Sequence, residues 1–183
     1  MVKLFPPSLQ KTTKWSGGLT KELFIYPEGS SYTERNFDFR LSTATVEIET
    51  SVFTPLYNFE RTLMVLEGQM ELNHKGHHST VLGPLDVDYF NGGWETSSKG
   101  TCIDFNLMCL NGTKGTVEGF DLDIAETVNI DCNDSHCFIY TFKGALNVNY
   151  SSIEEGSLIH LTHNSSAQLR AVKKSRLVII KIQ

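Results

Sequence analysis

Arg61 is the residue whose chemistry most constrains its surroundings. It stands just before residues 63–66, an apolar run that predicts a strand buried on both faces. Because a guanidinium group does not give up its proton in a protein, a buried arginine requires a partner of opposite charge. That partner is either a carboxylate of the protein or an anionic ligand. A carboxylate suits the planar guanidinium well, since it accepts two parallel N–H···O bonds.

Alternating polar residues in two further stretches could complete a pocket around this arginine. In residues 36–49 one face starts polar and becomes apolar, which is typical of a strand that runs from a solvated pocket into a core. In residues 101–110 the alternation separates polar side chains from apolar ones. With Trp15 or Trp94 as a stacking wall, the predicted ligand-binding residues are Arg61, Arg40, Ser42, Asn106, Asp104 and Trp15.

The alternative is that the charged residues neutralise one another inside the protein. Arg40 or Arg61 could pair with Asp104, and Asp38 and Glu60 are further candidate partners. Such pairing would close the pocket to ligands. From the residue types alone, internal pairing is the favoured interpretation.

Histidines offer a different chemistry, which is metal binding. His74, His77 and His78 are close enough in sequence to bind zinc, nickel or copper, but residues 73–78 have the composition of an exposed polar hairpin. We therefore expect a solvated loop there. His136 and His160 could both point into the second half of the fold, although no ligand spacing requires it. The sequence thus predicts no metal ion and no other cofactor.

No local motif supports a nucleophilic enzyme. The chain lacks a Gly-x-Ser-x-Gly turn, and Cys102 and Cys109 have the character of small core residues on one strand. Glu67 could serve as a general base if it were buried, but a carboxylate at a bend is more often solvated. Whether the protein is an enzyme is left open, and non-catalytic binding is favoured.

Strands are the elements that would position these residues. Short alternating or apolar runs recur between strong turn signals such as residues 16–18 and 91–93, and no stretch has a convincing helical period. This pattern predicts an all-β sandwich or barrel. The glycine spacing around residues 138–148 repeats that around residues 64–72, which indicates an internal duplication.

Composition and charge narrow the classes of partner. The chain has 183 residues, a formal net charge of −5 and a pI of about 5.7, so it has no general attraction for nucleic acid or an anionic membrane. No apolar run approaches the ~20 residues that span a bilayer. The N-terminus has no apolar signal sequence, so we expect a cytoplasmic protein whose four cysteines are reduced.

Several blocks, in this order, resemble the HutD/Ves family. They are WSGGLT at residues 15–20, FDFRLSTA at 37–44, ERTLMVLEG at 60–68, YFNG at 89–92 and DFNLM at 104–108. The resemblance covers about residues 12–120 and implies a bicupin, in which two double-stranded β-helix (cupin) barrels are fused in one chain. It thus implies one compact unit of residues 1–183, with an N-terminal lobe at 12–120 and a smaller C-terminal lobe at 121–183.

The resemblance also implies a function. The family is similar to proteins encoded beside histidine-degradation enzymes, so we expect regulatory or sensing binding of a small carboxylate such as formate or formylglutamate. It moves the expected role of Arg61 from internal pairing to ligand binding. The chain departs from the family at residues 59–61, where Phe-Glu-Arg replaces a glycine-containing turn and Asp-Arg, and the longer acidic side chain is expected to alter ligand preference.

Two other functions stay open. One is a metal-independent hydrolase or isomerase that acts on a small polar metabolite in the same pocket. The other is an interaction module with a vestigial pocket. The expected partner is a small carboxylate, and no binding to nucleic acid or membrane is expected. Exposed barrel edges can pair with one another, so a homodimer is one of the states that the sequence allows.

Overall fold

The chain folds as two units rich in β-structure. The computed structural model describes residues 2–133, 136–149 and 151–183. Contacts group Lys11–Lys114 into one unit, and Met1–Gln10 with Gly115–Gln183 into the other. The all-β prediction is confirmed, since the described residues form strands and one short 3₁₀ turn at Pro7–Leu9. Within these described ranges, no helix has the length and apolar content to cross a membrane.

The strands follow one another closely along the chain. They are β1 Val2–Phe5, β2 Lys11–Trp15, β3 Gly18–Tyr26, β4 Phe39–Val46, β5 Thr50–Val52, β6 Phe59–Gly68, β7 Met70–His74, β8 Ser79–Leu82, β9 Val87–Asn91, β10 Thr96–Lys99, β11 Cys102–Leu110, β12 Gly115–Leu122, β13 Thr127–Cys132, β14 His136–Lys143, β15 Ala145–Val148, β16 Ser151–Glu154, β17 Leu158–Thr162, β18 Ser165–Ala171 and β19 Ser175–Ile182.

The Lys11–Lys114 unit consists of two antiparallel sheets. The six-stranded sheet has the order β2-β3-β4-β11-β6-β9, and the four-stranded sheet has the order β5-β10-β7-β8. Apolar side chains from both sheets form one core, which includes Val46, Leu63, Val65, Met70, Leu72 and Leu82. Residues 63–66 of β6 are all 0% exposed, so the prediction that this strand is buried on both faces is confirmed.

The register of the central strands places the predicted pocket residues together. Strand β11 lies between β4 and β6. Met108 is opposite Arg40 on one side and Arg61 on the other, and Asn106 is opposite Ser42. Because directly opposed residues share a face of an antiparallel sheet, these side chains all point to the same side.

The unit of Met1–Gln10 and Gly115–Gln183 also has two antiparallel sheets. Their strand orders are β1-β17-β14-β19-β12 and β13-β18-β15-β16. The N-terminal strand β1 pairs here, with Val2 opposite Leu161. The sequence placed the boundary between the lobes near residue 120, whereas the contacts place it between Lys114 and Gly115.

Two predicted elements have different bounds in the structure. The strand expected over residues 36–49 is shorter, because β4 spans Phe39–Val46. A turn closed by the Arg35 N–H and the Ser31 carbonyl at 3.1 Å occupies the chain before it. The hairpin expected at residues 73–78 begins later, because β7 continues through His74.

Candidate ligand-binding site

A cavity of about 580 Å³ lies in the Lys11–Lys114 unit. Its wall is formed by side chains from β2, β3, β4, β5, β6 and β11, together with the loop at residues 30–33. All six residues predicted from the sequence line it, namely Trp15, Arg40, Ser42, Arg61, Asp104 and Asn106. The structure thus brings them together, and their binding of a ligand stays a prediction.

Arg61 is a buried cation with an open donor. It is 8% exposed, and its Nη2 donates to Oδ1 of Asn106 at 2.9 Å. Its guanidinium carbon lies 4.8 Å from the ring centre of Phe53 and 5.3 Å from that of Phe90. Its Nε–H has no acceptor, and none of the described carboxylates forms an ion pair with it. The internal ion pair considered for Arg61 is therefore not formed among the described residues.

Asn106 connects Arg61 to Asp104. Its amide nitrogen donates a short hydrogen bond to Oδ1 of Asp104, while its carbonyl oxygen accepts from Arg61. Burial raises the pKa of Asp104 to about 7, against the opposing effects of the Arg61 charge and of hydrogen bonds with the Ala44 backbone and Asn106. The cavity therefore holds the Arg61 cation beside a carboxyl group whose charged form is disfavoured by burial.

Arg40 is neutralised by a carboxylate other than those predicted from the sequence. Its Nε donates to Oε2 of Glu22 at 2.7 Å, and its Nη1 donates to Oγ of Ser42 at 3.0 Å. The guanidinium carbon lies 4.7 Å from the ring centre of Tyr32. The suggested pairing of Arg40 with Asp104 is not formed, because Glu22 lies directly opposite Ser42 on the neighbouring strand β3. The alternation of β3 could have revealed Glu22, whereas Tyr32 lies in a loop without a pattern.

Trp15 and two phenylalanines complete the apolar part of the site. Trp15 lines the cavity and has a buried indole N–H without an acceptor. Trp94, the alternative wall, is outside the lining and stacks on His77 with ring centres 3.7 Å apart. Phe53 and Phe90 lie against Arg61, which the sequence did not predict, since no spacing relates these residues to it.

A second group of polar side chains lies outside the lining of this cavity, in the same unit. His74 Nε2 is 2.8 Å from Oδ2 of Asp88, and His78 Nε2 is 3.0 Å from Oδ1 of the same carboxylate. Because His74 is 1% exposed, the prediction of a solvated loop is wrong at this residue. Burial is the largest effect on His74 and lowers its pKa, against the hydrogen bond and charge of Asp88.

The other unit contains a pair of histidines and two of the four cysteines. His136 Nδ1 lies 3.1 Å from His160 Nε2, and burial, as the largest effect, lowers the pKa of His160 to about 4. All four cysteines of the chain are buried and none forms a disulfide.

Comparisons with known proteins give one family and one fold. The family model described as HutD matches residues 8–179. No curated protein sequence matches the chain significantly. The protein of unknown function PA5104 from Pseudomonas aeruginosa PAO1 is 17% identical, with a TM-score of 0.82 over 100% of this chain and 99% of that one.

Two further solved structures are similar over nearly the whole chain. HutD from Pseudomonas fluorescens SBW25, in a formate condition, is 17% identical, with a TM-score of 0.76 and coverage of 100% of both chains. The bacterial pirin YhhW from Escherichia coli, in complex with nickel(II), is 12% identical, with a TM-score of 0.76 and coverage of 98% of both chains. Pirin is a cupin-fold protein, so the predicted cupin fold is confirmed, and the two units are compatible with two barrels.

Proposed function

The chain belongs to the HutD family, and we propose that its cavity binds a small carboxylate metabolite without turning it over. We further propose that this binding has a regulatory or sensing role linked to histidine utilisation. The observation that supports the proposal is the buried Arg61 guanidinium, which has no ion-pair partner among the described residues and an Nε–H without an acceptor. A bound carboxylate would supply both.

The energetics of Arg61 favour an anion in the cavity. Moving a charged group from water into the protein interior without an ion-pair partner costs roughly several kcal/mol. The contacts with Phe53 and Phe90 offset part of this, at about 0.5–2 kcal/mol each for a cation over an aromatic ring. A carboxylate would offset much of the rest through charge-assisted hydrogen bonds, which are about twice as strong as neutral ones.

The charges in the wall favour a monoanion over a dianion. Arg40 is neutralised by Glu22, so Arg61 is the buried cation of the lining that no described carboxylate pairs with, and the other lysine or arginine of the lining, Lys11, is exposed. Trp15 adds a second open N–H donor, and Phe53 adds a flat apolar face. A monocarboxylate with a further acceptor and a planar part therefore fits these features, and the cavity lies in the range of about 300–1,000 Å³ that is usual for small-molecule sites.

Calorimetric titration with formate, urocanate and formylglutamate tests the proposal. Wild-type protein is expected to bind at least one of them with one site per chain, and Arg61→Met is expected to weaken binding about 100-fold, because two hydrogen bonds to a charged group are lost. Arg170→Met, which removes an exposed arginine from the other unit, is the matched control and should bind as the wild type does. Equal binding by Arg61→Met and wild type would refute the assignment of the site.

One observation favours an enzyme as the second candidate. Asp104 is a buried carboxyl group with a pKa of about 7 that lines the same cavity, which are the properties of a general acid or base. Product formation from a bound ligand, lost in Asp104→Asn while binding persists, would establish a metal-independent hydrolase or isomerase. Saturable binding without product supports the sensor. The absence of both binding and product would favour an interaction module.

A further inference from the structure

His74, His78 and Asp88 form a cluster with the geometry of metal ligands, and it lies outside the lining of the carboxylate cavity. We propose that these three residues bind a divalent transition-metal ion of the zinc class. His74 is the last residue of β7, His78 immediately precedes β8, and Asp88 is on β9. Their ligand atoms all lie within 4.8 Å of one another.

The donor set fits such an ion. Two imidazole nitrogens and one carboxylate oxygen suit zinc, cobalt or nickel, and three protein ligands leave a fourth position for water. In a tetrahedral site with bonds of about 2.0–2.1 Å, neighbouring ligand atoms are about 3.3 Å apart. The present nitrogen–oxygen distances of 2.8 Å and 3.0 Å are close to that value. The His78 side chain is 40% exposed, so it has room to make the small adjustment required.

Thr96 supports His74 in the orientation that a ligand needs. His74 Nδ1 lies 2.8 Å from the Thr96 hydroxyl, which in turn lies 3.3 Å from the Trp94 carbonyl. With a metal ion on Nε2, Nδ1–H donates to the hydroxyl, and the hydroxyl donates to the carbonyl. Metal-bound histidines usually have such an outer partner, which fixes the tautomer of the ring.

The same residues can also form a hydrogen-bonded cluster without an ion. In that state His74 Nε2–H donates to Asp88, and the Thr96 hydroxyl turns to donate to Nδ1. Both states satisfy the polar atoms of His74, so the fold does not depend on the ion. Binding can therefore be measured on folded protein.

Aromatic rings surround the cluster and connect it to a measurable signal. The His74 ring lies 4.4 Å from Phe90 and 5.7 Å from Trp94, and the His78 ring lies 6.0 Å from Trp94, measured between ring centres. A paramagnetic ion bound there would quench the fluorescence of this tryptophan.

Since β7 and β9 belong to different sheets, an ion would also join the two sheets of the unit.

The test is a calorimetric titration of full-length, tag-free, chelator-treated protein with zinc chloride, and a parallel cobalt titration followed by tryptophan fluorescence. We expect one zinc ion per chain and a rise in Tm with added zinc. His78→Gln should weaken binding about tenfold or more. Thr96→Val, which removes the outer hydrogen bond, should weaken it by about 10- to 100-fold.

His77→Gln is the matched control. It lies in the same turn and stacks on Trp94, but it is not a member of the cluster. It should bind zinc as the wild type does. The proposal is overturned if folded wild-type protein binds no zinc stoichiometrically, or if His78→Gln and His77→Gln bind it equally well.

Discussion

Replacing Asp104 by asparagine should change the pH dependence of stability in a defined direction. The carboxyl ionises near pH 4 in an unfolded chain, whereas burial raises its pKa to about 7 in the folded protein. Between these values the folded state binds more protons than the unfolded state. The contribution of Asp104 to the free energy of unfolding is therefore fully present below about pH 4 and is lost as the pH rises through 7.

The size of the effect follows from the shift. The pKa of Asp104 differs by about three units between the folded and the unfolded protein, which corresponds to about 4 kcal/mol at about 1.4 kcal/mol per unit. Asparagine has the shape of the protonated aspartic acid and keeps a carbonyl oxygen to accept the Asn106 hydrogen bond. Asp104→Asn should thus match the wild type near pH 4 and exceed its free energy of unfolding by about 4 kcal/mol at pH 8.

Urea denaturation of both proteins at pH 4, 6 and 8 measures this difference directly. Asp131→Asn, at an exposed position, is the matched control and should leave the pH profile of the wild type unchanged. A difference between Asp104→Asn and wild type that stays constant from pH 4 to pH 8 would refute the reasoning. It would mean that Asp104 keeps its charge in the folded protein and that Arg61 neutralises it.

Three further predictions concern the same unit. Affinity for a carboxylate should fall about tenfold from pH 6 to pH 8 by calorimetry, as Asp104 loses its proton near pH 7, and the fall should be absent in Asp104→Asn. Arg61→Lys keeps the charge but loses the planar pair of donors, so it should bind about tenfold more weakly; unchanged affinity would mean that charge alone is recognised. Leu63→Ala removes a side chain that is 0% exposed and should lower the free energy of unfolding in urea by about 2–5 kcal/mol; a loss below about 1 kcal/mol would contradict the packing.

Alternation along single strands predicted the faces of the site but not its partners. A period of two fixes which side chains share a face, so Asp104 and Asn106 could be assigned together before any register was known. The partner of Arg40 depends on the register between β3 and β4, which places Glu22 opposite Ser42 and within reach of the Arg40 guanidinium. Tyr32 reaches the site from a loop, where no periodicity applies.

The alternation of polar and apolar residues also does not predict when a single polar residue is buried. His74 has the neighbours of an exposed hairpin in sequence, yet it ends a strand and meets Asp88 from a different sheet. Its burial follows from the contact between sheets, which leaves no local trace. The pairing of β1 with β17 is hidden for the same reason, because the two strands are far apart in the chain.

The position of β1 has a consequence for how the protein is made. Val2 leaves the ribosome well before its partner Leu161 is added to the chain. At a translation rate of about 5–20 residues per second, β1 stays without its partner strand for on the order of ten seconds. During that time the whole Lys11–Lys114 unit is translated and can fold. Strand β1 therefore cannot pair until β17 has been translated.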